Sequence, residues 1–296
     1  MSLQVFIDYL TLEKNYSKHT VTAYARDIEK FQDFLQERYS DAEVSDVNYS
    51  QIRSWIVELV EDKLSNRSIN RKISSLQSYF KFLLKVEAIE VNPLAKHKAL
   101  KTSKKIQVPF SEAEVNRVLD GRAHNNTFEG LRNKLIIELF YSTGMRRSEL
   151  IGLQLSSIDF SNKTIKVLGK QNKERFIPLL DSVIVTLKAY LQERQALKNN
   201  GDSNYLFLTQ KGVKIYETLV YRIINEYFSE ASLKAKKSPH ILRHSFATHL
   251  LNQGASLNAV KELLGHASLA ATQVYTHNSI SELKKVYSNS HPRSKK

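Results

Sequence analysis

At 296 residues the chain is longer than one hydrophobic core usually serves, so two domains are expected. Lysine and arginine outnumber aspartate and glutamate by 44 to 30, and the resulting net charge of +14 favours polyanionic partners. The absence of cysteine excludes disulfides and thiol chemistry, and no signal segment or long apolar run is visible, so a cytoplasmic protein with no membrane partner is expected.

The first elements read as a helical bundle. Val21, Tyr24, Ile28, Phe31 and Leu35 recur at helical spacing, as do Ile69, Ile73, Leu76, Phe80 and Leu83, and both stripes read as core. The opposite face of the second stripe carries Arg67, Asn70, Arg71, Ser74, Ser75 and Ser78. Of these, Arg67, Asn70, Arg71 and Ser74 are candidates for contacts to a nucleic-acid backbone or base edge. Charge is uneven: residues 1–64 carry −5, residues 65–108 carry +8 and residues 109–296 carry +11, which suggests a basic face presented to DNA. Asn92-Pro93 closes a helix, and the lysine-rich stretch that follows has no sustained apolar period. The predicted domains are therefore 1–96 and 109–296, joined by a linker over 97–108. Ser111 and Glu114 are spaced as a capping box that opens the second domain.

Further on, chemistry-bearing residues cluster. Thr143-Gly144-Met145-Arg146 supplies one arginine and Ser238-Pro239-His240-Ile241-Leu242-Arg243 a histidine and a second arginine. Leu264-Gly265-His266 and Tyr275 complete the set. A planar guanidinium grips two phosphate oxygens and stays charged at any working pH, so Arg146 and Arg243 suit a phosphodiester. Tyr275 is a candidate nucleophile; a phenol with pKa near ~10 needs a base or a cationic site to ionise, and His240 and the arginines offer both. Residues 164–178 read as a β-hairpin whose turn lifts Lys170 as a mobile general acid, with Lys173 its rival; Lys173 and Arg175 otherwise read as solvated or phosphate-positioning charges. Ser238 at an N-cap and Pro239 at the first helical position place His240 and Arg243 in a first helical turn, where unpaired backbone donors favour an anion. Gly254 reads as that helix's C-cap, Ser256 as the next N-cap and Gly265 as its end.

These boxes, in this order and at this spacing, resemble the tyrosine recombinase (phage integrase) family, most closely its Xer-type members. The resemblance covers essentially the whole chain. It implies a mainly α fold with a small antiparallel β-sheet: an N-terminal SAM-like helical bundle that binds the core site, then an α+β catalytic domain. It assigns catalysis to Arg146, Lys170, His240, Arg243, His266 and Tyr275, the last as nucleophile, with Glu149 in support. Met145 and Gln171 stand where leucine and glycine are usual.

The implied reaction is DNA cleavage and rejoining through a 3′-phosphotyrosyl link, without metal, ATP or other cofactor. The implied partners are double-stranded DNA and a homo- or hetero-tetramer on two sites, with a second Xer recombinase or a DNA translocase as further candidates. The short N-terminus favours chromosome or plasmid dimer resolution over integration of a mobile element. A non-catalytic DNA-binding protein of the same ancestry and a type IB topoisomerase-like enzyme are the competing readings. Ser279-Ile280-Ser281-Glu282 resembles a capping box, and Ile280, Leu283, Val286 and Tyr287 form an apolar stripe that Pro292 ends. The pattern fits packing on its own domain equally well as docking on a neighbouring protomer, the role the family implies.

Overall fold

Polar caps and apolar stripes explain the helices of the computed structural model, which describes residues 3–40, 43–103, 107–121, 126–169, 174–197, 204–234, 236–265 and 285–294. The chain divides into two compact units, Met1–Lys105 and Ile106–Lys296.

In the first unit α1 (Leu3–Asp8) runs into a π-helical turn, followed by α2 (Lys18–Tyr39), α3 (Tyr49–Glu61) and α4 (Asn66–Lys85). Ser17, Asn48 and Ser65 precede the three long helices, each in extended backbone, and each side chain accepts a hydrogen bond from the backbone N–H three residues on. Ile28, Phe31 and Leu35 from α2, Trp55 from α3 and Ile69, Leu76, Phe80 and Leu83 from α4 close over one core. Tyr24 lies at its margin, only partly buried.

A buried acid, paired with a buried lysine, sits among these apolar residues. Asp27, 2% exposed, accepts from Arg71 Nη2 at 2.8 Å, Lys72 Nζ at 3.1 Å and Ser75 Oγ at 2.8 Å. Burial alone raises a carboxyl pKa, but here the bonds from Arg71, Ser75 and Lys72 prevail and hold it below its ordinary value. Ser75, expected on the polar face of α4, is fully buried because this carboxylate needs a donor. The stretch expected as linker is also tied down at its start. Asn70 donates to Leu100 O at 2.8 Å and accepts from Leu100 N at 2.9 Å, and Asn66 donates to Lys101 O at 2.8 Å.

The second unit holds α5 (Glu112–Asp120), α6 (Phe128–Thr143), α7 (Arg147–Gly152), β1 (Ile158–Asp159), β2 (Thr164–Leu168), β3 (Glu174–Pro178), α8 (Asp181–Gln195), α9 (Glu217–Ala231), α10 (Pro239–Asn252) and α11 (Leu257–Leu264). Ser111 and Glu114 form the expected capping box, and Ser256 caps α11. The strands make one antiparallel sheet in the order β1-β2-β3, with Val167 opposite Arg175 and Leu168 opposite Glu174. α6 is the central element, buried on nearly every side and packed against α5, α7, α8, α9 and α10.

Residues 285–290 are helical and return to the end of α6. Tyr287 Oη donates to Ser142 O at 2.8 Å, and His291 Nε2 lies 3.2 Å from Tyr141 O, so the two side chains meet carbonyls of the last α6 turn, which have no partner within the helix. Arg293 bonds Asn116 at 3.0 Å and Asp120 at 2.9 Å. In the described part of the terminal segment, Val286 and Tyr287 thus pack on their own unit. Ile280 and Leu283 of the same stripe lie outside the described residues.

Within α6, Glu138 is 4% exposed and its Oε2 has no partner among the described residues. Burial pushes its pKa up to about 7 despite Thr186, Lys134 and Arg293 nearby. A carboxyl whose folded pKa exceeds its unfolded value favours the fold while protonated, so its contribution is full below about pH 4.5 and is lost as pH rises through about 7. Glu138→Gln removes that titration. Between pH 4.5 and 8 the stability of wild type is expected to fall relative to the variant by up to roughly 3 kcal/mol, read by denaturant unfolding across pH. Parallel curves for the two proteins would show that Glu138 does not titrate in this range.

Candidate active site

Two helix ends and two helix starts build the site. α6 ends at Gly144 and α11 at Gly265, both in the left-handed region with φ of 59° and 62°, where a side chain is strained. At Gly144 there is no room for one, because a Cβ would stand 2.3 Å from Phe246 Cδ1 and 2.8 Å from Leu264 Cδ2. These turns direct carbonyls at the arginines. Arg243 Nη1 bonds Gly144 O and its Nη2 bonds Leu264 O at 2.7 Å, while Arg146 Nη2 bonds Gly265 O at 3.2 Å. The glycines in the two short sequence boxes are therefore helix caps whose carbonyl oxygens orient guanidinium groups.

Arg146 occupies the N-cap of α7, and Glu149, three residues on, reaches back to it as a capping-box acid does. Glu149 Oε2 accepts from Arg146 N at 2.7 Å and Oε1 from Arg146 Nη1 at 2.8 Å. Burial raises the Glu149 pKa, but the hydrogen bonds and charge of Arg175, with Arg146 beside it, hold it below the ordinary value, so it is an anion at neutral pH. Arg175, expected as a DNA-contacting or solvated charge, is 4% exposed and grips the same carboxylate at 2.9 and 2.8 Å. Strand alternation could have shown this: in β3, Arg175 and Ile177 are buried while Glu174 and Phe176 are exposed.

Three guanidinium groups thus gather around one carboxylate, leaving about two positive charges with no anion beside them among the described residues. The strain shows on Arg243. Burial and the charges of Arg146 and Arg175, offset by Glu149, push its pKa down to about 10, still well above neutrality. A cationic pocket walled by helix ends has the charge and donor geometry that suit an anion such as a phosphate.

His240 sits exposed in the first turn of α10, with Arg243 one turn on along the same side. Desolvation of the ring, then the charges of Arg243, His244 and Lys236, hold its pKa below the ordinary value, so at neutral pH it is an uncharged imidazole able to take a proton. The start of α10 contributes less than expected. Ser238 stands at the N-cap, but its buried hydroxyl makes no cap bond and has no partner among the described residues. Pro239 has no N–H, and those of Ile241 and Leu242 go to Ser238 O. The backbone donors of Ile241 and Leu242 are thus already occupied. Arg147 turns away to Glu217 at 2.5 Å, and Met145 is fully buried.

Lys170, Lys173, His266 and Tyr275 lie outside the described residues. β2 and β3 form the expected hairpin on either side of residues 169–173. In the first unit Arg67 and Ser74 are exposed, Ser74 bonding Asn70 O at 2.8 Å, whereas Asn70 is committed to Leu100 and Arg71 to Asp27. Asn70 is therefore a structural bridge, and Arg71 can meet DNA only with the part of its guanidinium left by Asp27.

Residues 112–282 match the phage integrase family and residues 3–87 the phage integrase N-terminal SAM-like domain. The chain belongs to the phage integrase family. Its enzymatic class is that of the tyrosine recombinases, which carry out site-specific DNA recombination. It is 43% identical over 295 residues to the tyrosine recombinase XerC of Anoxybacillus flavithermus, covering 99% of this chain and 98% of that one. To the tyrosine recombinase XerC of Oceanobacillus iheyensis it is 39% identical, with 98% and 96% covered. Among solved structures, a XerH site-specific recombinase bound to a palindromic difH substrate in a post-cleavage complex superposes with a TM-score of 0.71 at 25% identity, over 93% of this chain and 81% of that one. No described helix is long and apolar enough to cross a membrane.

Proposed function

We propose that this recombinase resolves chromosome or plasmid dimers at dif-like sites, with Arg146, Lys170, His240, Arg243, His266 and Tyr275 as its catalytic residues and Glu149 in support. The observation that carries the assignment is the cationic pocket of Arg146, Arg175 and Arg243 around the buried Glu149, with a neutral imidazole at its edge. Tyr275 Oη attacks the scissile phosphorus, its proton passing to His240. The bond from phosphorus to the 5′ oxygen breaks as the new ester forms, leaving a 3′-phosphotyrosyl link, and Lys170 protonates the departing oxygen. Arg146 and Arg243 hold the non-bridging oxygens as charge builds on them, and His266 donates a further hydrogen bond. The 5′ hydroxyl of another strand then reverses the attack. The ester conserves the bond energy, so ATP has no role.

Arg67, Ser74 and the uncommitted part of Arg71 contact DNA from the N-terminal domain, and Lys173 from the hairpin. Four protomers, of this chain or of this chain and a second Xer recombinase, assemble on two sites in the cytoplasm, with a DNA translocase as a further candidate partner. The XerC name of the full-length relatives supports the dimer-resolution reading. A supercoiled plasmid with two direct copies of a site selected by binding from host DNA tests it, in chelator and without ATP, with host extract added in a parallel reaction. Two circles are expected in one or both reactions. Relaxation of a plasmid lacking any site, with no exchange, would instead show a topoisomerase.

A further inference from the structure

Glu149 has two carboxylate oxygens, and each is shared by two arginines. Oε1 accepts from Arg146 Nη1 and Arg175 Nη1, and Oε2 from the Arg146 backbone and Arg175 Nη2. The two arginines use the anion differently. Arg175 is buried and gives it both ends of its fork, with Nε bonded to Leu263 O at 3.0 Å. Arg146 gives one guanidinium nitrogen to the carboxylate, bonds Gly265 O with the other, and keeps a side chain 36% exposed.

We infer that Arg175 is a positioning residue of the recombination reaction: it occupies the Glu149 carboxylate so that Arg146 stays directed at the scissile phosphate. The inference rests on the proposed use of Arg146 on that phosphate. Both interactions draw on one anion. With the Arg175 fork in place, Glu149 is held in plane and most of its charge is matched, so Arg146 is anchored yet free to bind another anion. Without it, a buried and unmatched carboxylate competes with phosphate for Arg146 and cancels its charge. Arg175 also links three segments. It projects from β3 opposite Val167, bonds α7 through Glu149, and bonds the last turn of α11, where a Cβ on Gly265 would come within 3.1 Å of its side chain. Hairpin, arginine box and the end of α11 are thus held in register by one guanidinium. Direct DNA contact would need an exposed donor, and this side chain is buried.

The test uses full-length Arg175→Lys, Arg175→Gln and Arg175→Gln/Glu149→Gln proteins with a nicked duplex bearing the sequence that wild type retains covalently. Single-turnover cleavage at saturating DNA is expected to fall by roughly 10- to 100-fold in Arg175→Lys and Arg175→Gln, since small misplacements cost that much, while DNA affinity stays within about threefold. Neutralising Glu149 in the Arg175→Gln background is expected to recover part of the lost cleavage, short of wild type because Arg146 then lacks its anchor, an outcome that simple loss of stability would not give. Should Arg175→Gln fail to fold by thermal melting, Arg175→Lys, which keeps the charge and loses the fork, decides alone. Unchanged cleavage in a folded variant, weakened affinity with unchanged cleavage, or a double variant slower than the single overturns the inference. Wild type run alongside separates the two levels: absence of any wild-type adduct overturns the assignment of the site itself, whereas a normal wild-type adduct beside unaffected variants overturns the role of Arg175 alone.

Discussion

Arg243→Lys is expected to lose at least ~10²-fold in strand cleavage while remaining folded and bound to DNA, because removing one preorganised donor to a developing oxyanion typically costs 10²–10³. A lysine keeps the charge and loses the geometry. Arg243 bonds Gly144 O and Leu264 O with two guanidinium nitrogens, and the plane so fixed presents its remaining donors to the pocket. An ammonium group cannot bridge both carbonyls and still grip two phosphate oxygens. Some stability is lost as well, about 1–3 kcal/mol if one buried carbonyl is left without a donor. Single-turnover cleavage of a nicked duplex at saturating protein, with the dissociation constant measured separately, checks this. Cleavage within threefold of wild type would remove Arg243 from the reaction.

Gly144→Ala is expected to be the most damaging methyl group that can be added to the catalytic unit. Left-handed backbone costs a non-glycine residue about 1–2 kcal/mol, and forcing an atom into a filled core adds about 1–3. Both apply here, since φ is 59° and the new Cβ would stand 2.3 Å from Phe246 Cδ1. A destabilisation of roughly 2–5 kcal/mol follows, with loss of activity because the Gly144 carbonyl that orients Arg243 must move. The two contributions separate experimentally. Phe246→Leu in the Gly144→Ala background should relieve the steric part and leave the backbone part. Denaturant unfolding of the four proteins of this cycle gives both, and an unfolding midpoint for Gly144→Ala equal to wild type would contradict the packing described here.

The range of the forces involved decides which of these features the sequence makes legible. Ser111 with Glu114, Ser256 and Gly265 act within one helical turn, so their roles can be read from neighbours in the chain, and the structure has them as expected. The stripes of α2 and α4 were legible because burial repeats with the helical period. Asp27 was not, since a buried acid looks like any surface acid until the helix bearing Arg71, Lys72 and Ser75 is laid against it. The same blindness hid Arg175, read as a solvated charge, and the bond from Asn70 to Leu100 thirty residues away. Ser238 is the reverse case, a residue with the right identity at the right position whose hydroxyl makes no cap bond. Arg146 and Arg243 stand out in the sequence by residue type and Glu149 only through the family resemblance, but the reason for the glycines beside the arginines, a carbonyl aimed at each guanidinium, appears only once the helix ends meet.

The most direct measurement is of the covalent bond itself. Wild-type and Tyr275→Phe proteins are incubated with nicked fragments of host DNA, denatured, and assayed for DNA that stays attached. The nick lets the freed 5′ end diffuse away, so the intermediate accumulates. The expected result is an adduct with wild type, located by peptide mapping at Tyr275 and joined to a 3′ phosphate, and none with the variant. An adduct of equal yield with Tyr275→Phe, or a link through a 5′ phosphate, would contradict the mechanism proposed for this site.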